Sequence, residues 1–196
     1  MEKKMTKKVW IIIICLFCLF TVGIIFGYKA FKNRDRKIVE KEEKGGTVVL
    51  NYATNFSGLT IVNAQKTADS IAIKDVTDGK YFDFSIAVDL EKAKNVEYEI
   101  FATKIAKDST ISDDDIRIYL EKENSGTYAQ VLAPTKYSPL KKESELGSKK
   151  GSMVLTSEKK TKSSVDNYRL RVWLADTSLL ETGNYSVTVS VVGKAS

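Results

Sequence analysis

Among the 196 residues there is no histidine, which removes both the commonest general base and the commonest transition-metal ligand. Ser-His-Asp triads and HExxH metalloproteases are excluded with it. Cysteine is almost as scarce: Cys15 and Cys18 are the only two, and both fall in one apolar run near the N-terminus. The rest of the chain therefore forms no disulfide, offers no thiol nucleophile and builds no Cys/His zinc site. Prolines number two, Pro134 and Pro139, and both are expected in loops, because a sheet tolerates proline only at its margins.

Basic charge is also missing from most of the chain. Of 31 Lys/Arg and 25 Asp/Glu, nine basic and two acidic residues lie in positions 1–37, which leaves positions 38–196 with a net charge of −1. The overall +6 is therefore no nucleic-acid signal. It marks the flanks of an apolar segment, where each lysine contributes about 1 kcal/mol of attraction to anionic headgroups.

That segment, Val9 to Tyr28 (VWIIIICLFCLFTVGIIFGY), holds no charge and has Lys3, Lys4, Lys7 and Lys8 before it and Lys29, Lys32, Arg34, Arg36 and Lys37 after it. At about 1.5 Å per residue a helix of this length reaches about 30 Å, the thickness of a bilayer's hydrocarbon core. A cleaved leader has a shorter core and a small-x-small site, whereas cutting after Ala30 here puts Tyr28 at the third position back. A lipoprotein needs a small residue before its cysteine, but Ile14 and Phe17 precede Cys15 and Cys18. The expectation is a retained signal anchor with a cytoplasmic tail (1–8), a transmembrane helix (9–28), a charged stalk (29–46) and an outside domain (47–196). Gly23 and Gly27 form a G-x-x-x-G suited to close helix packing in the membrane.

Beyond the stalk the apolar period becomes two, the mark of half-buried strands. In KYFDFSIAVDL, Phe82, Phe84, Ile86, Val88 and Leu90 share one phase; after the turn-like EKAKN come Val96, Tyr98 and Ile100, giving a hairpin or a sandwich corner. The pattern recurs at Ile116, Ile118 and Leu120, at Tyr168, Leu170, Val172 and Leu174, and at Tyr185, Val187, Val189 and Val191. Weaker strands are expected in TVVLNYA, LTIV, SIAIKDV, YAQVLA and SMVLTS, and exposed loops at 137–150 and 157–164. No segment of about ten residues between Thr47 and Gly193 carries helical periodicity. The expected fold is all-β, an antiparallel β-sandwich, jelly-roll or immunoglobulin-like, preceded by a single N-terminal transmembrane helix.

Little chemistry is encoded in that domain. Ser/Lys neighbours such as Ser148-Lys149 and Ser157-Glu158-Lys159 sit in charge-rich stretches where a lysine stays protonated. Asp113-Asp114-Asp115 and the set Asp75, Asp78 and Asp83 lack calcium-loop spacing and read as turn carboxylates. Asn55 and Asn184 head N-x-S triplets, a short pattern that chance also produces. The expectation is a non-enzyme with no cofactor and no metal. Tyr81, Phe101, Tyr119 and Trp173 occupy the outward phases of their strands. Either they form an aromatic surface or neighbouring segments cover them; on the first reading, Phe101, Tyr119 and Trp173 are the candidate partner contacts.

With the final strands located, NYRLRVWLADTSLLETGNYSVTVSVVG resembles the closing strands of the camelysin/TasA-type surface and biofilm-matrix proteins of Gram-positive bacteria. The match lies in Tyr168, Leu170, Arg171 and Trp173, followed by Tyr185, Val187, Val189 and Val191. The segment DGKYFDFSIAVDLEKAKNVEYEIFATKI is similar to that family's earlier strand pair, and together the two cover about a third of the chain. The resemblance implies an extracellular jelly-roll-like sandwich with a structural role, in some members as a fibre subunit. Those relatives are generally released from a leader, whereas this chain is expected to keep its anchor, and the proteolysis ascribed to some of them has no histidine here to support it. The function expected is a single-pass, cell-surface protein whose sandwich binds a protein partner or itself through a strand edge or an aromatic face, with the membrane as its other partner. The alternatives are an accessory subunit of a secretion, conjugation or envelope-assembly complex and, further off, a carbohydrate- or calcium-binding module.

Overall fold

The computed structural model of the protein describes residues 36–38, 45–75, 77 and 79–196. The expected membrane helix with Gly23 and Gly27, and nearly all of the stalk, lie outside these residues. Among the described residues no helix is long and apolar enough to cross a membrane.

Ten strands follow in order: β1 (Arg36–Ile38), β2 (Thr47–Tyr52), β3 (Gly58–Thr67), β4 (Tyr81–Asp89), β5 (Val96–Lys104), β6 (Ile116–Asn124), β7 (Thr127–Thr135), β8 (Ser152–Lys160), β9 (Ser164–Ala175) and β10 (Thr182–Ala195). One short helix, α1 (Asp69–Ala72), and a 3₁₀ turn at Ala106–Asp108 complete the elements of the described residues. The described domain is therefore all-β, and its strands form two ladders. One runs β2-β4-β9-β6-β7 and the other β3-β10-β5-β8. They meet where the end of β3 pairs parallel with β9, Lys66 opposite Leu174 and Thr67 opposite Ala175. This takes up the edge of β9 just past Arg171, where β4 stops.

Alternation in the sequence becomes alternation in burial. Ile86, Ile100, Ile116, Ile118, Leu120, Leu170, Leu174 and Val187, drawn from both ladders, are fully buried in one cluster. Each such side chain contributes about 1.5–3 kcal/mol relative to exposure. β4 and β5 do not pair with each other. The chain turns a corner between the ladders, held where the Lys94 and Asn95 N–H groups donate to the Ser196 carbonyl. β6 and β7 form a true hairpin, because Ser125 (φ 52°) and Gly126 (φ 86°) both adopt the left-handed region that a two-residue turn of this twist requires. Gly58 marks a close approach: a Cβ there would lie 2.0 Å from the Val187 carbonyl oxygen.

Three sequence expectations are corrected. SIAIKDV is not a strand: Asp69 to Ala72 form α1, with Ala72 buried and Ile73 packed against Tyr119 and Trp173. Its S-I-A-I alternation mimics a strand, but four residues are too few to separate period two from period 3.6. The stretch 157–164 is mostly ladder, β8 ending at Lys160 and β9 beginning at Ser164. Pro134 lies inside β7, which pairs only with β6, so the missing N–H falls on an edge strand beside a register shift.

Candidate functional site

Three polar constructions stand out. The first lies between the ladders. Lys122 of β6 and Asp166 and Tyr168 of β9 face Tyr98 of β5 and Glu158 and Lys160 of β8. Lys122 Nζ is 2.8 Å from both carboxylate oxygens of Glu158 and 3.4 Å from Asp166 Oδ2. Lys160 Nζ lies 2.8 Å from Glu158 Oε2 and 2.7 Å from Asp166 Oδ2. The Tyr168 hydroxyl donates to Glu158 Oε1 at 2.6 Å and sits 3.0 Å from the Tyr98 hydroxyl. Burial opposes ionisation of Glu158, but hydrogen bonds from Lys122, Lys160 and Tyr168 outweigh it and hold the carboxyl down at about 2. Burial alone would lower Lys160; its hydrogen bonds to Asp166 and Glu158 reverse that and raise it. Both directions keep the groups charged at neutral pH, so the cluster is an ion-paired bridge between layers and Lys160 is no amine nucleophile.

A second bridge joins Lys104 Nζ to Asp113 Oδ1 at 2.6 Å, with the Tyr185 hydroxyl donating to the same oxygen at 3.0 Å. Beside it, the Tyr137 hydroxyl donates to the Gly151 carbonyl at 2.6 Å and accepts the Lys104 N–H at 3.2 Å. Burial pushes both tyrosines up.

The third covers the outer face of the β2–β7 ladder. Arg169 is held bidentately by Asp83 at 2.7 and 2.8 Å, and its guanidinium lies 4.1 Å from the ring centroid of Tyr81 and 4.4 Å from that of Tyr128. Hydrogen bonding to Asp83 raises Arg169 further above its ordinary value. One step along, the buried Arg171 pairs with Glu121 at 3.1 Å and donates to the Asp75 carbonyl. A hollow of about 30 Å³ beside it, lined by Ile61, Ala64, Thr67, Ala72, Arg171 and Trp173, has room for about one water.

The candidate contacts fall differently from the surface reading. Trp173 and Tyr119 do occupy the outer face, but α1 lies over them: Trp173 Nε1 donates to Asp69 at 3.0 Å, and the two rings pack edge to face with Ala72 and Ile73. Phe101 shares its face with Glu99, where Ser144 and Ser148 of the 137–150 loop donate to the Glu99 carboxylate at 2.5 and 2.7 Å. All three aromatics are buried, at 4–6% exposure, so none of them lies on an open surface of the described domain. What the sequence did not flag is Leu179, 96% exposed, with Ile71 at 63%.

The carboxylates of the acidic triplet are each occupied. Asp113 pairs with Lys104, Asp114 with Lys136 at 2.7 Å, and Asp115 accepts the Ser112 hydroxyl at 2.8 Å. The Lys136 ammonium holds the Asp114 carboxyl below its ordinary range. Among the described residues no group of three or more Asp, Glu, His or Cys side chains converges as a metal site. Asn55 is exposed; Asn184 is half-buried, and its Oδ1 accepts the Asn63 N–H.

The inter-ladder bridge did leave a signal in the sequence. Lys122 follows Ile116, Ile118 and Leu120 in phase, and Asp166 precedes Tyr168 and Leu170, so opposite charges on two inward phases announce a buried pair. Arg169 stacked between Tyr81 and Tyr128 had no such signal, because cross-strand register creates it. No protein-family model matches the chain, and no curated protein matches it.

Proposed function

We propose that this chain is a single-pass membrane protein displaying an antiparallel β-sandwich, jelly-roll-like in kind, at a bacterial cell surface, where it has a structural or binding role and catalyses no reaction. The observation that carries the reading is the polarity of the domain. Gly46 lies against Ala195 at one end of β10, while the loop 176–181, with Leu179 exposed, precedes Thr182 at the other end. Fourteen residues of strand separate the two by about 45 Å. The exposed Leu179 loop thus lies at the end of β10 opposite the one beside which the chain enters the domain at Gly46, open to a partner. The pairing of its interior charges supports a role carried by surfaces. The likeness to camelysin/TasA-type proteins points the same way.

The second reading, an accessory subunit of an envelope machine, is favoured by the Gly23–Gly27 spacing. Fractionation tests the first. The full chain should remain in alkaline-washed membranes and run alone in mild detergent, and deletion of 9–28 should release it. Recovery of the full chain in the soluble fraction sinks the proposal, and co-purification in a stoichiometric membrane complex favours the second reading.

A further inference from the structure

α1 is a slight cover over a firm surface. Trp173 and Tyr119, which it covers, stand on β9 and β6, and β9 is held by β4, β6 and the end of β3. The cover is four residues long and has no side-chain hydrogen bond at its N-cap, whereas isolated helices shorter than about 12–15 residues are marginal in water. Of residues 68–75 only Ala72 is buried; Asp69, Ser70, Ile71 and Lys74 are exposed, Ile71 at 63%.

Few contacts hold it down. The Trp173 indole N–H donates to Asp69 Oδ1 at 3.0 Å, Arg171 donates to the Asp75 carbonyl, and Ala72 and Ile73 pack with the two rings. The hollow of about 30 Å³ lined by Ala72, Arg171 and Trp173 leaves part of that packing unmade, and an unfilled contact forfeits dispersion energy. A segment that buries so little apolar surface opens at a lower free energy than the paired strands beneath it.

We propose that α1 is a displaceable lid, which lifts from the outer face while both ladders stay folded and so uncovers Trp173 and Tyr119 as a contact surface. The lid itself displays the chemistry that this surface accepts. Two aliphatic side chains, Ala72 and Ile73, lie against the rings, and a carboxylate, Asp69, takes the indole N–H. A partner segment that replaces α1 carries the same groups, aliphatic side chains beside an acid. This rests on the binding role proposed above and gives it a closed and an open state.

The unit Lys37–Ser196 is compact by itself, encloses its own core, contains no cysteine and is the material for the test. Ala72→Cys places its one thiol under the lid, where a maleimide reaches it when α1 lifts. Labelling should proceed at a rate unchanged by low urea, because lifting α1 exposes little surface. In the unsubstituted domain the amides of Ile71 to Asp75 should exchange in the same urea-independent way, ahead of the amides that join β9 to β4 and β6. Asp69→Ala removes the acceptor of the indole N–H and should raise both rates about five-fold, the effect of about 1 kcal/mol. Labelling and α1 exchange that share the urea dependence of β9, or that are indifferent to Asp69→Ala, overturn the proposal, since α1 then leaves only with the whole domain or is not held by Trp173. Should Ala72→Cys fail to fold, exchange of the unsubstituted domain and of Asp69→Ala decides alone. A lid that stays shut on a chain still retained in membranes refutes the lid and leaves the display reading standing.

Discussion

Replacing Glu158 by Gln isolates the bridge between the two ladders. Its carboxyl, 20% exposed, accepts Lys122, Lys160 and Tyr168, and its pKa falls from 4.5 to about 2. At about 1.4 kcal/mol per pH unit, that difference is on the order of 3 kcal/mol of stability. The folded carboxyl titrates below the unfolded one. Its contribution is therefore complete above pH 4.5 and drains away as the pH falls from 4.5 towards 2. Gln keeps the shape but not the charge, leaving Lys122 and Lys160 to share Asp166. Urea denaturation of residues 37–196 at pH 7 should show Glu158→Gln less stable by about 2–3 kcal/mol, a fall in Tm of about 5–10 °C for a domain of this size. Near pH 2 the two proteins should converge. Equal stability at pH 7, or a gap that persists unchanged at pH 2, would refute the reasoning.

Other substitutions separate buried from exposed interactions on the outer face. Arg171→Met strands the Glu121 carboxylate in a site where the pair is 4% and 10% exposed, and should cost about 3–5 kcal/mol; Asp83→Asn, which removes a carboxylate that is 44% exposed beside Arg169, should cost no more than about 1 kcal/mol and less in high salt. Denaturation at two salt concentrations reads both. Trp173→Ala should lose about 3–5 kcal/mol and expose Tyr119 to quenchers, so a variant of unchanged Tm would mean that α1 does not cover the ring. Gly58→Ala drives a methyl against the Val187 carbonyl and should destabilise by about 1–3 kcal/mol or more, measured the same way.

The strands that build the core were legible because both of their ladders bury one face. Phe82 to Val88, Ile116 to Leu120 and Tyr185 to Val191 repeat every second residue, and all reach the interior. The cover over the outer faces was not legible. Tyr119 and Trp173 stand on the phase their spacing assigns, but α1 reaches them through a connection whose path no local pattern encodes. Near Phe101, Ser144 and Ser148 come from more than forty residues on to bind the Glu99 carboxylate, a long-range contact that spacing does not announce. Lys122 and Asp166 were readable in principle, since a charge on an inward phase must find a partner. Arg169 between Tyr81 and Tyr128 was not, because it depends on the registers of β4, β9, β6 and β7 together. The edge character of β7 was equally hidden: YAQVLA reads as a strand, and only strand order shows that one side is unpaired.

The proposed display of this domain outside the cell is tested most directly at Leu179, the exposed tip of the loop that precedes β10. A Leu179→Cys chain in intact cells is treated with a membrane-impermeant maleimide, the parent chain with Cys15 and Cys18 serving as the control. The account predicts labelling of the variant on intact cells and none of the parent. Labelling of Leu179→Cys only after lysis would contradict it.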